Sequence, residues 1–485
     1  MSTVLFTHSY FYKFDAKQWK FKQPYPPLGT IQAAAVLRDA GYSVSLFDTN
    51  LRDSPHELMP MLQRIRPRYF VIYDDGFNYL TKMCLTKMRE AAFVMSTEAK
   101  ALGCIVIVSS SDAADHYEKY FSHGADYVVR GEGEETLKSL LLTLDQGGDA
   151  AQVQGLAFRR ADENMLTGTR PVIKDLDSLP LPAWDLVDIA AYRKIWLRHH
   201  GYFSLNIATT RGCPFKCNWC AKPIYGNRYT SRSPQHVIRE IAYLLETYKP
   251  DHFWMCDDIF GLKPGWVCEF RDLVKERRLS FQYKIQSRVD LLLEEDTIDA
   301  LAQSGAETVW VGAESGSQKI LDAMDKGTTV EQIVDASRLL KQKGVKVAFF
   351  LQFGYLGESR DDIGKTIQMV VDLLPDEVGI SVSYPLPGTK FYEKVKNQLR
   401  EKKNWSESDD LDMMFESTFK TAYYRQLHRY VHSIYRKHKG YHTLRKLLSN
   451  PLRLSYRDLR TGLATFYYIP KAFAQQIRLK TLETA

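Results

Sequence analysis

The sequence lacks several features that would assign it to a common class. Its 485 residues contain only seven cysteines, an odd number without even spacing, which argues against a disulfide framework and favours a reducing compartment. We find no run of about 18 apolar residues and no charged-then-apolar N-terminal leader, so we expect a cytoplasmic protein. No G-x-G-x-x-G fingerprint follows the first predicted strand, which argues against a dinucleotide site there.

A net excess of positive charge is lacking outside the C-terminal tail. The net charge is +7, yet residues 423–485 carry thirteen Lys or Arg against two acidic residues. Because the excess of basic over acidic residues is confined to this tail and no nucleic-acid motif occurs, we predict no nucleic-acid binding. Tyrosines interleave with the basic residues, which suits a peripheral membrane contact or a lipid-like substrate; a solvated helical cap fits the same pattern.

Residues 1–148 alternate predicted strands and helices. The strands are Thr3–Thr7, Tyr42–Asp48, Tyr69–Tyr73, Cys104–Val108 and Ala125–Val129, and the helices between or after them are Thr30–Ala40, Thr81–Leu102 and Glu134–Leu144. This order predicts an α/β domain with a Rossmann-like, doubly wound parallel sheet.

Small and hydroxyl residues follow three of these strands. Ligands of such sheets bind at the carboxyl ends of the strands, and small residues there let a bulky planar ligand approach the backbone. An ordinary set of polar loops in a Rossmann-like fold is the alternative. The candidate binding residues are Asp74, Gly76, Ser109, Ser110, Gly131 and Glu132.

The rest of the chain divides into three predicted regions. Residues 149–200 form a linker, in which we expect the proline-punctuated stretch Leu179–Asp185 to be extended. Residues 201–400 contain six further strands, each followed by polar or glycine-rich residues, which predicts a partial α/β barrel of six strands. Residues 401–485 form a basic helical C-terminal region.

Three of the seven cysteines lie within eight residues, at Cys213, Cys217 and Cys220. They follow a predicted buried strand, so they occupy a loop at the end of a barrel strand. Iron–sulfur clusters normally take four cysteine thiolates, and three would leave one iron of a cubane open for a small molecule. A zinc knuckle without its fourth ligand and three unrelated thiols are the alternatives.

The motif Cys213-x-x-x-Cys217-x-x-Cys220, with Trp219 before the third cysteine, resembles the signature of the radical S-adenosylmethionine superfamily. Further motifs resemble the branch of that superfamily that carries an N-terminal cobalamin-binding domain. They are Asp257-Asp258-x-Phe260, Ser287–Asp290, Gly312–Ser317, Lys326–Thr329, Pro387–Thr389, Pro26–Gly29 and Asp126–Glu134. The resemblance covers residues 1–395 and identifies no substrate.

The resemblance implies a ligand set for three cofactors. Cys213, Cys217 and Cys220 would hold a 4Fe–4S cluster whose open iron binds S-adenosylmethionine. Asp257 would contact the amino group of the methionine moiety, although the family has a glycine-rich motif with a Glu there. Ser287, Arg288 and Glu314 would contact its methionyl or ribosyl part, and Gly354 and Gly357 its adenine; structural ion pairs are the alternative for Arg288 and Glu314. The loops containing Asp74, Gly76, Ser109, Ser110, Gly131 and Glu132 would bind cobalamin.

One motif of cobalamin-binding domains is absent. Domains that ligate cobalt through histidine carry Asp-x-His-x-x-Gly, and the residues that follow Asp115-His116 do not fit this pattern. We therefore expect no histidine ligand from this motif. A degenerate domain that binds no cobalamin is the alternative.

The resemblance implies an enzyme that forms a 5′-deoxyadenosyl radical and methylates an unactivated carbon of a small-molecule or lipid-like substrate. An electron donor such as flavodoxin or ferredoxin would reduce the cluster. The tail resembles, weakly, the anaerobic magnesium-protoporphyrin ester cyclases, so a cyclase-type reaction is the alternative. A cobalamin or redox sensor ranks lower, since no output module is visible. No catalytic side chain is identified.

Overall fold

The fold is an α/β architecture with two parallel sheets and a helical C-terminal region, as the sequence predicts. The structure is a computed structural model that describes residues 2–78, 81, 85–161, 163–222, 224–294, 296–399, 405–406, 410–449 and 456–483. Within them the chain divides into two compact units. One comprises Met1–Pro214, Lys222–Ile285 and Asn404–Asp410, and the other Phe215–Ala221, Gln286–Lys403 and Leu411–Ala485.

The first sheet has seven strands in the order β2-β1-β3-β4-β5-β6-β7. Strands β1 to β5 are parallel: Thr3–Thr7, Ser43–Phe47, Tyr69–Tyr73, Ile105–Ser109 and Tyr127–Val129. They lie within one residue or two of the predicted strands, because each is a short apolar run bounded by polar residues or glycine. The side chains of β1, β3, β4 and β5 are mostly buried, as expected of a parallel sheet covered on both faces, whereas only two of the five residues of β2 are buried.

Helices flank this sheet. They are α1 (Ala16–Phe21), α2 (Leu28–Asp39), α3 (Met59–Ile65), α4 (Thr86–Ala101), α5 (Ser111–Asp115), α6 (Tyr117–Phe121) and α7 (Glu134–Asp145). Helix α4 covers most of the helix predicted over Thr81–Leu102; Thr81 is also helical, Leu85 is not, and residues 82–84 lie outside the described part of the chain.

The predicted linker, residues 149–200, contains helix and strand. Strands β6 (Leu156–Arg160) and β7 (Glu163–Leu166) extend the first sheet as an antiparallel hairpin, and helix α8 spans Ile189–His200. The extended stretch predicted at Leu179–Asp185 lies outside these elements, and the sequence analysis assigns no helix or strand to them. Half of β6 and most of β7 are exposed at the sheet edge, so their sequences lack the apolar run that marks the central strands.

The second large sheet has six strands in the order β15-β14-β13-β12-β11-β8. They are β8 (Ser204–Ile207), β11 (His252–Met255), β12 (Gln282–Ser287), β13 (Ala306–Glu314), β14 (Lys346–Phe353) and β15 (Glu377–Val382). A two-stranded antiparallel sheet joins β9 (Thr210–Arg211) to β10 (Thr230–Ser231).

Helices alternate with the strands of the second sheet, which gives the predicted partial barrel. They are α9 (Pro234–Tyr248), α10 (Trp266–Glu276), α11 (Val289–Leu292), α12 (Thr297–Ser304), α13 (Gln318–Ala323), α14 (Val330–Gln342), α15 (Arg360–Leu373) and α16 (Lys390–Val395). The cap predicted at Ser233 is confirmed: its side chain accepts a hydrogen bond from the backbone N–H of His236.

The C-terminal region is a pair of long helices, α17 (Thr421–Ser449) and α18 (Tyr456–Glu483), packed against each other. Gly440 permits their close approach, since a Cβ atom there would lie 2.7 Å from the backbone oxygen of Thr461 and would also collide with Thr465. None of the helices in the described ranges is both long enough and apolar enough to span a bilayer.

Candidate functional site

A pocket lies at the carboxyl edge of the first sheet, where the sequence predicts a binding site. Five of the six residues predicted there line it: Asp74, Gly76, Ser109, Ser110 and Gly131. The turn of Ile224 and Tyr225 forms another wall of the same pocket. The parallel strands bring these loops together because their carboxyl ends all meet at this edge.

Gly76 lets backbone, and not a side chain, face this pocket, and Gly133 lies against two residues of its lining, Tyr73 and Ser109. A Cβ atom on Gly76 would lie 2.6 Å from Cδ1 of Ile224, and one on Gly133 would lie 2.8 Å from the hydroxyl oxygen of Tyr73. No Cβ atom tolerates contacts this short, so larger residues would displace the walls. Backbone amides and serine hydroxyls exposed in this way fit the amide-bearing rim of a corrin ring.

Asp74 is fixed inside the pocket wall and does not extend from it. Its two carboxylate oxygens accept hydrogen bonds from the backbone N–H of Ser9 at 2.7 Å and from the Ser9 hydroxyl at 2.9 Å. Burial raises the pKa of this carboxyl to about 6 because the charged form is desolvated, although the Ser9 hydrogen bonds oppose the shift. The side chain therefore tethers the end of β3 to the end of β1.

Glu132, the sixth predicted residue, is directed elsewhere. Its carboxylate pairs with the buried guanidinium of Arg211 at 2.5 Å and accepts a hydrogen bond from the backbone N–H of Ile173. Glu134 pairs with the same guanidinium at 2.8 Å. All three charged side chains are at most 6% exposed. Two glutamates after β5 thus hold the residue that precedes Gly212 and Cys213.

The cysteine loop begins with a turn that requires glycine. Gly212 has φ = +77°, a left-handed conformation that favours glycine, and a Cβ atom there would collide with the backbone oxygen of Arg228. Cys213, Cys217 and Cys220 are half-buried thiols. In the described part of the chain no three His, Cys, Asp or Glu side chains form a metal-binding group. A preformed arrangement is not required, because metal ligands commonly assemble as the metal binds, and three thiols on one short loop fit an iron–sulfur cluster.

Replacing Gly212 with alanine should destabilise the protein by about 2 kcal/mol or more, since backbone strain and a steric collision add. A fall in the thermal unfolding midpoint, together with lower iron content after reconstitution, would be measured. Gly226→Ala is the matched control: Gly226 also has a positive φ, of +65°, but open space around its Cβ position. Equal losses in both variants would show that the collision contributes nothing.

Asp257 follows β11 and is fully buried. One carboxylate oxygen accepts hydrogen bonds from the backbone N–H groups of Thr209 and Thr210, at 2.6 and 2.7 Å, and the other from the Thr209 hydroxyl at 2.7 Å. Burial raises the pKa of Asp257 to about 6, while these hydrogen bonds lower it. The carboxylate therefore anchors the backbone just before the cysteine loop.

Within the second unit, Arg288 and Glu314 each have an ion-pair partner, but they do not pair with each other. Arg288 binds Asp290 at 2.8 Å, and Glu314 binds Lys326 at 2.8 Å. Glu314 has φ = +56°, an uncommon conformation for a side chain of this size. Ser287, the residue before Arg288, is 7% exposed.

The part of the cysteine loop in the second unit is held by Asn218. Its backbone N–H donates to the oxygen of Met324 at 3.0 Å, and its side-chain amide donates to the oxygen of Ala323 at 2.7 Å. The Tyr355 hydroxyl donates to the amide oxygen of Asn218 at 2.6 Å. Residues next to Cys217 are therefore fixed by the turn after α13 and by the loop after β14.

The loop after β14 contains the two glycines predicted to face adenine. Gly354 and Gly357 have φ = +80° and +78°. A Cβ atom on Gly354 would lie 2.8 Å from the methyl carbon of Met413, so this glycine lets the segment before α17 cover the loop. Glu358, which the sequence interpretation did not select, is fully buried and accepts a hydrogen bond from the Gly354 backbone N–H at 2.6 Å.

Comparison with known proteins agrees with this geometry. Residues 207–370 match the radical SAM superfamily model. The chain is 30% identical to an uncharacterised methyltransferase of Pyrococcus horikoshii over 59% of this chain and 62% of that protein. It is 29% identical to the anaerobic magnesium-protoporphyrin IX monomethyl ester cyclase of Rubrivivax gelatinosus, over 56% of this chain and 50% of that protein. The chain thus spans less than two thirds of the length of these relatives.

A third relative and two solved structures have broader coverage. The hopanoid C-3 methylase of Methylococcus capsulatus is 25% identical over 77% of this chain and 69% of its own length. The radical methyltransferase TsrM of Kitasatospora setae, solved with cobalamin and a 4Fe–4S cluster, has a TM-score of 0.66 at 20% identity over 82% of this chain and 75% of its own. The enzyme OxsB, solved with aqua-cobalamin and S-adenosylmethionine, has a TM-score of 0.73 at 16% identity over 99% of this chain and 72% of its own. These structures establish the fold.

Proposed function

We propose that this chain, whose residues 207–370 match the radical SAM superfamily model, is a cobalamin-dependent radical S-adenosylmethionine enzyme that methylates an unactivated carbon. The observation that carries the proposal is the cysteine loop, with its three thiols at superfamily spacing. In this proposal residues 1–148 bind cobalamin, residues 201–400 hold the cluster and S-adenosylmethionine, and residues 149–200 connect them.

The chain's own residues would bind and orient the three groups. Cys213, Cys217 and Cys220 would ligate three irons of the cluster. Gly357, with open space at its Cβ position, would leave room for adenine, whereas Met413 fills that position at Gly354. When bound, the cluster with S-adenosylmethionine supplies a 5′-deoxyadenosyl radical, and cobalamin supplies a methyl group. Asp257 and Arg211 act by fixing the backbone that leads into the cysteine loop.

The test is anaerobic reconstitution of the full chain with iron and sulfide, followed by addition of dithionite and S-adenosylmethionine. We expect 5′-deoxyadenosine, detected by chromatography. S-adenosylhomocysteine should appear as well when methylcobalamin turnover occurs. Absence of 5′-deoxyadenosine from protein with a full complement of iron and sulfide would refute the proposal.

A cyclase-type reaction is the second candidate, favoured by the cyclase of Rubrivivax gelatinosus among the relatives. Both reactions would begin with the same radical, but only methyl transfer consumes a second S-adenosylmethionine. Formation of 5′-deoxyadenosine with no S-adenosylhomocysteine in the presence of cobalamin would favour the cyclase reaction.

The proposed substrate is a small or lipid-like molecule, and the proposed reductant is a flavodoxin or ferredoxin.

Support for a lipid-like substrate comes from the last helix, α18, which exposes a long apolar stripe. Five of its side chains, spaced along one helical face, are 43–66% exposed: Leu459, Leu463, Phe466, Phe473 and Ile477. Basic residues of the same helix include Arg460, Lys471, Arg478 and Lys480. This combination of apolar and basic side chains favours peripheral contact with an anionic membrane.

We expect the protein to sediment with vesicles of anionic phospholipid more than with zwitterionic ones. The double change Phe466→Ser and Phe473→Ser should lower vesicle partitioning at least about tenfold, because two aromatic side chains lose their apolar burial. Leu339→Ser is the matched control, since Leu339 is an exposed apolar residue outside the stripe. Unchanged partitioning of the double variant would exclude this stripe as the contact.

A further inference from the structure

The side chain of Arg288 has no donor left for a substrate. A guanidinium has five N–H donors. In Arg288, Nε and one N–H of Nη2 are directed to Asp290, at 2.9 and 2.8 Å. Nη1 donates to the backbone oxygen of Lys326 at 2.8 Å, and Nη2 approaches that of Gly327 at 3.4 Å. The remaining N–H of Nη1 faces the sulfur of Cys217, at 3.9 Å.

The cysteine loop also contributes an aromatic platform for this side chain. The guanidinium carbon lies 3.7 Å from the centre of the Phe215 ring, within the range of a cation–π interaction. Arg288 is 6% exposed, so water screens its charge poorly. The charge is therefore held by fixed partners on three sides and directed at one cysteine sulfur.

We propose that Arg288 is a positioning residue that orients Cys217 and raises the reduction potential of the cluster bound there, and that it is not a ligand of S-adenosylmethionine. The inference rests on the proposed function, since it needs a cluster on Cys217. Hydrogen bonds and positive charge at the sulfurs favour the reduced state of an iron–sulfur cluster. Reduction transfers one electron from a flavodoxin- or ferredoxin-type donor, which is oxidised by one electron; no covalent bond breaks.

A second cation, Lys326, lies in the same neighbourhood and also interacts electrostatically with Cys217. The Lys326 ammonium is paired with Glu314 at 2.8 Å, so its charge is largely neutralised by a carboxylate that is equally buried. Asp290 likewise offsets part of the charge of Arg288. Removing Asp290 should therefore act on the potential in the opposite direction to removing Arg288.

The experiment is a redox titration of the reconstituted cluster, followed by electron paramagnetic resonance without S-adenosylmethionine. Arg288→Gln should make the equilibrium constant for one-electron reduction about tenfold less favourable, which corresponds to roughly 59 mV. Asp290→Asn should shift the midpoint upward. A purely structural role would lower cluster content in both variants without opposite shifts in potential.

Three outcomes are decisive. Opposite shifts in the two variants, each with iron content equal to the parent protein, support the inference. Unchanged midpoints combined with weakened S-adenosylmethionine binding in Arg288→Gln overturn it and make Arg288 a ligand of that molecule. Failure of the parent protein to bind iron and sulfide refutes the proposed function itself. If Arg288→Gln does not fold, Phe215→Leu, which removes the ring beneath the guanidinium, should give a smaller downward shift, and no shift overturns the inference.

Discussion

Cys217→Ala is expected to reduce 5′-deoxyadenosine formation to the level of a reaction without protein. The proposed cluster has three protein ligands, one fewer than the usual four, so the loop has no ligand to spare. Loss of Cys217 also removes the sulfur that Arg288 faces at 3.9 Å. Iron and sulfide content, the visible absorption spectrum and product yield would be measured on the same anaerobic preparation.

The matched control is Cys268→Ala. Cys268 is also a half-buried thiol, but it lies on α10 and outside the three-cysteine motif. Its replacement should leave iron content and product yield within about twofold of the parent, as for most substitutions away from a site. Product formation that persists in Cys217→Ala with full iron content would show that the cluster is held elsewhere.

Glu358 should make the stability of the protein depend strongly on pH. Its carboxyl is fully buried, and the described residues offer Oε1 no hydrogen-bond partner. Burial raises the pKa of Glu358 from 4.5 to about 8, although the hydrogen bond from the Gly354 backbone N–H opposes the shift. The folded protein therefore retains a proton that the unfolded chain releases above pH 4.5. The stabilising effect is complete below that pH and is lost as the pH rises towards 8.

In this window each pH unit should lower the free energy of unfolding by about 1.4 kcal/mol through this one group. Glu358→Gln keeps an oxygen for the Gly354 N–H but cannot ionise, so it should remove that slope. The variant should be more stable than the parent by several kcal/mol at pH 8 and similar to it near pH 5. Denaturant unfolding of both proteins across this range measures the difference.

Glu393→Gln is the control for this experiment. Glu393 is an exposed glutamate whose carboxylate pairs with Lys396, and exposed pairs contribute little. Its replacement should leave the slope unchanged. Parallel profiles for the parent and Glu358→Gln would mean that Glu358 is ionised in the folded protein, and the buried environment would then not govern its protonation.

The sequence predicts the central strands better than the edge strands. Strands such as Tyr69–Tyr73 and Ile105–Ser109 are fully or almost fully buried apolar runs, and hydrophobic patterning identifies them directly. The hairpin of β6 and β7 adds to an edge and exposes half of its residues, so the physical signal is weak. Helix α8 was missed for another reason: the prolines before it indicate an extended chain, but they end before Ile189, where the helix begins.

For the candidate site, the sequence identifies loops more reliably than side-chain roles. Five of six residues selected at the first sheet do share a pocket. Glu132 does not line it, because pairing with the distant residue Arg211 depends on tertiary packing that no local pattern reveals. Lys326 was selected only as part of a motif, without its pairing to Glu314, and Glu358 was not selected, because no local pattern shows that its carboxylate is buried. The roles assigned to Asp257, Ser287, Glu314, Gly354 and Gly357 stay predictions.

The buried ion triad of Glu132, Glu134 and Arg211 also limits how this chain can be recombined with its relatives. The two glutamates lie in the predicted cobalamin domain and the arginine in the predicted barrel, on opposite sides of any chimera junction placed within residues 149–200. A chimera that replaces either the glutamates or the arginine alone would leave a buried charge without its partner, which costs several kcal/mol of stability. A functional chimera with another N-terminal domain must therefore take all three residues from the same parent protein.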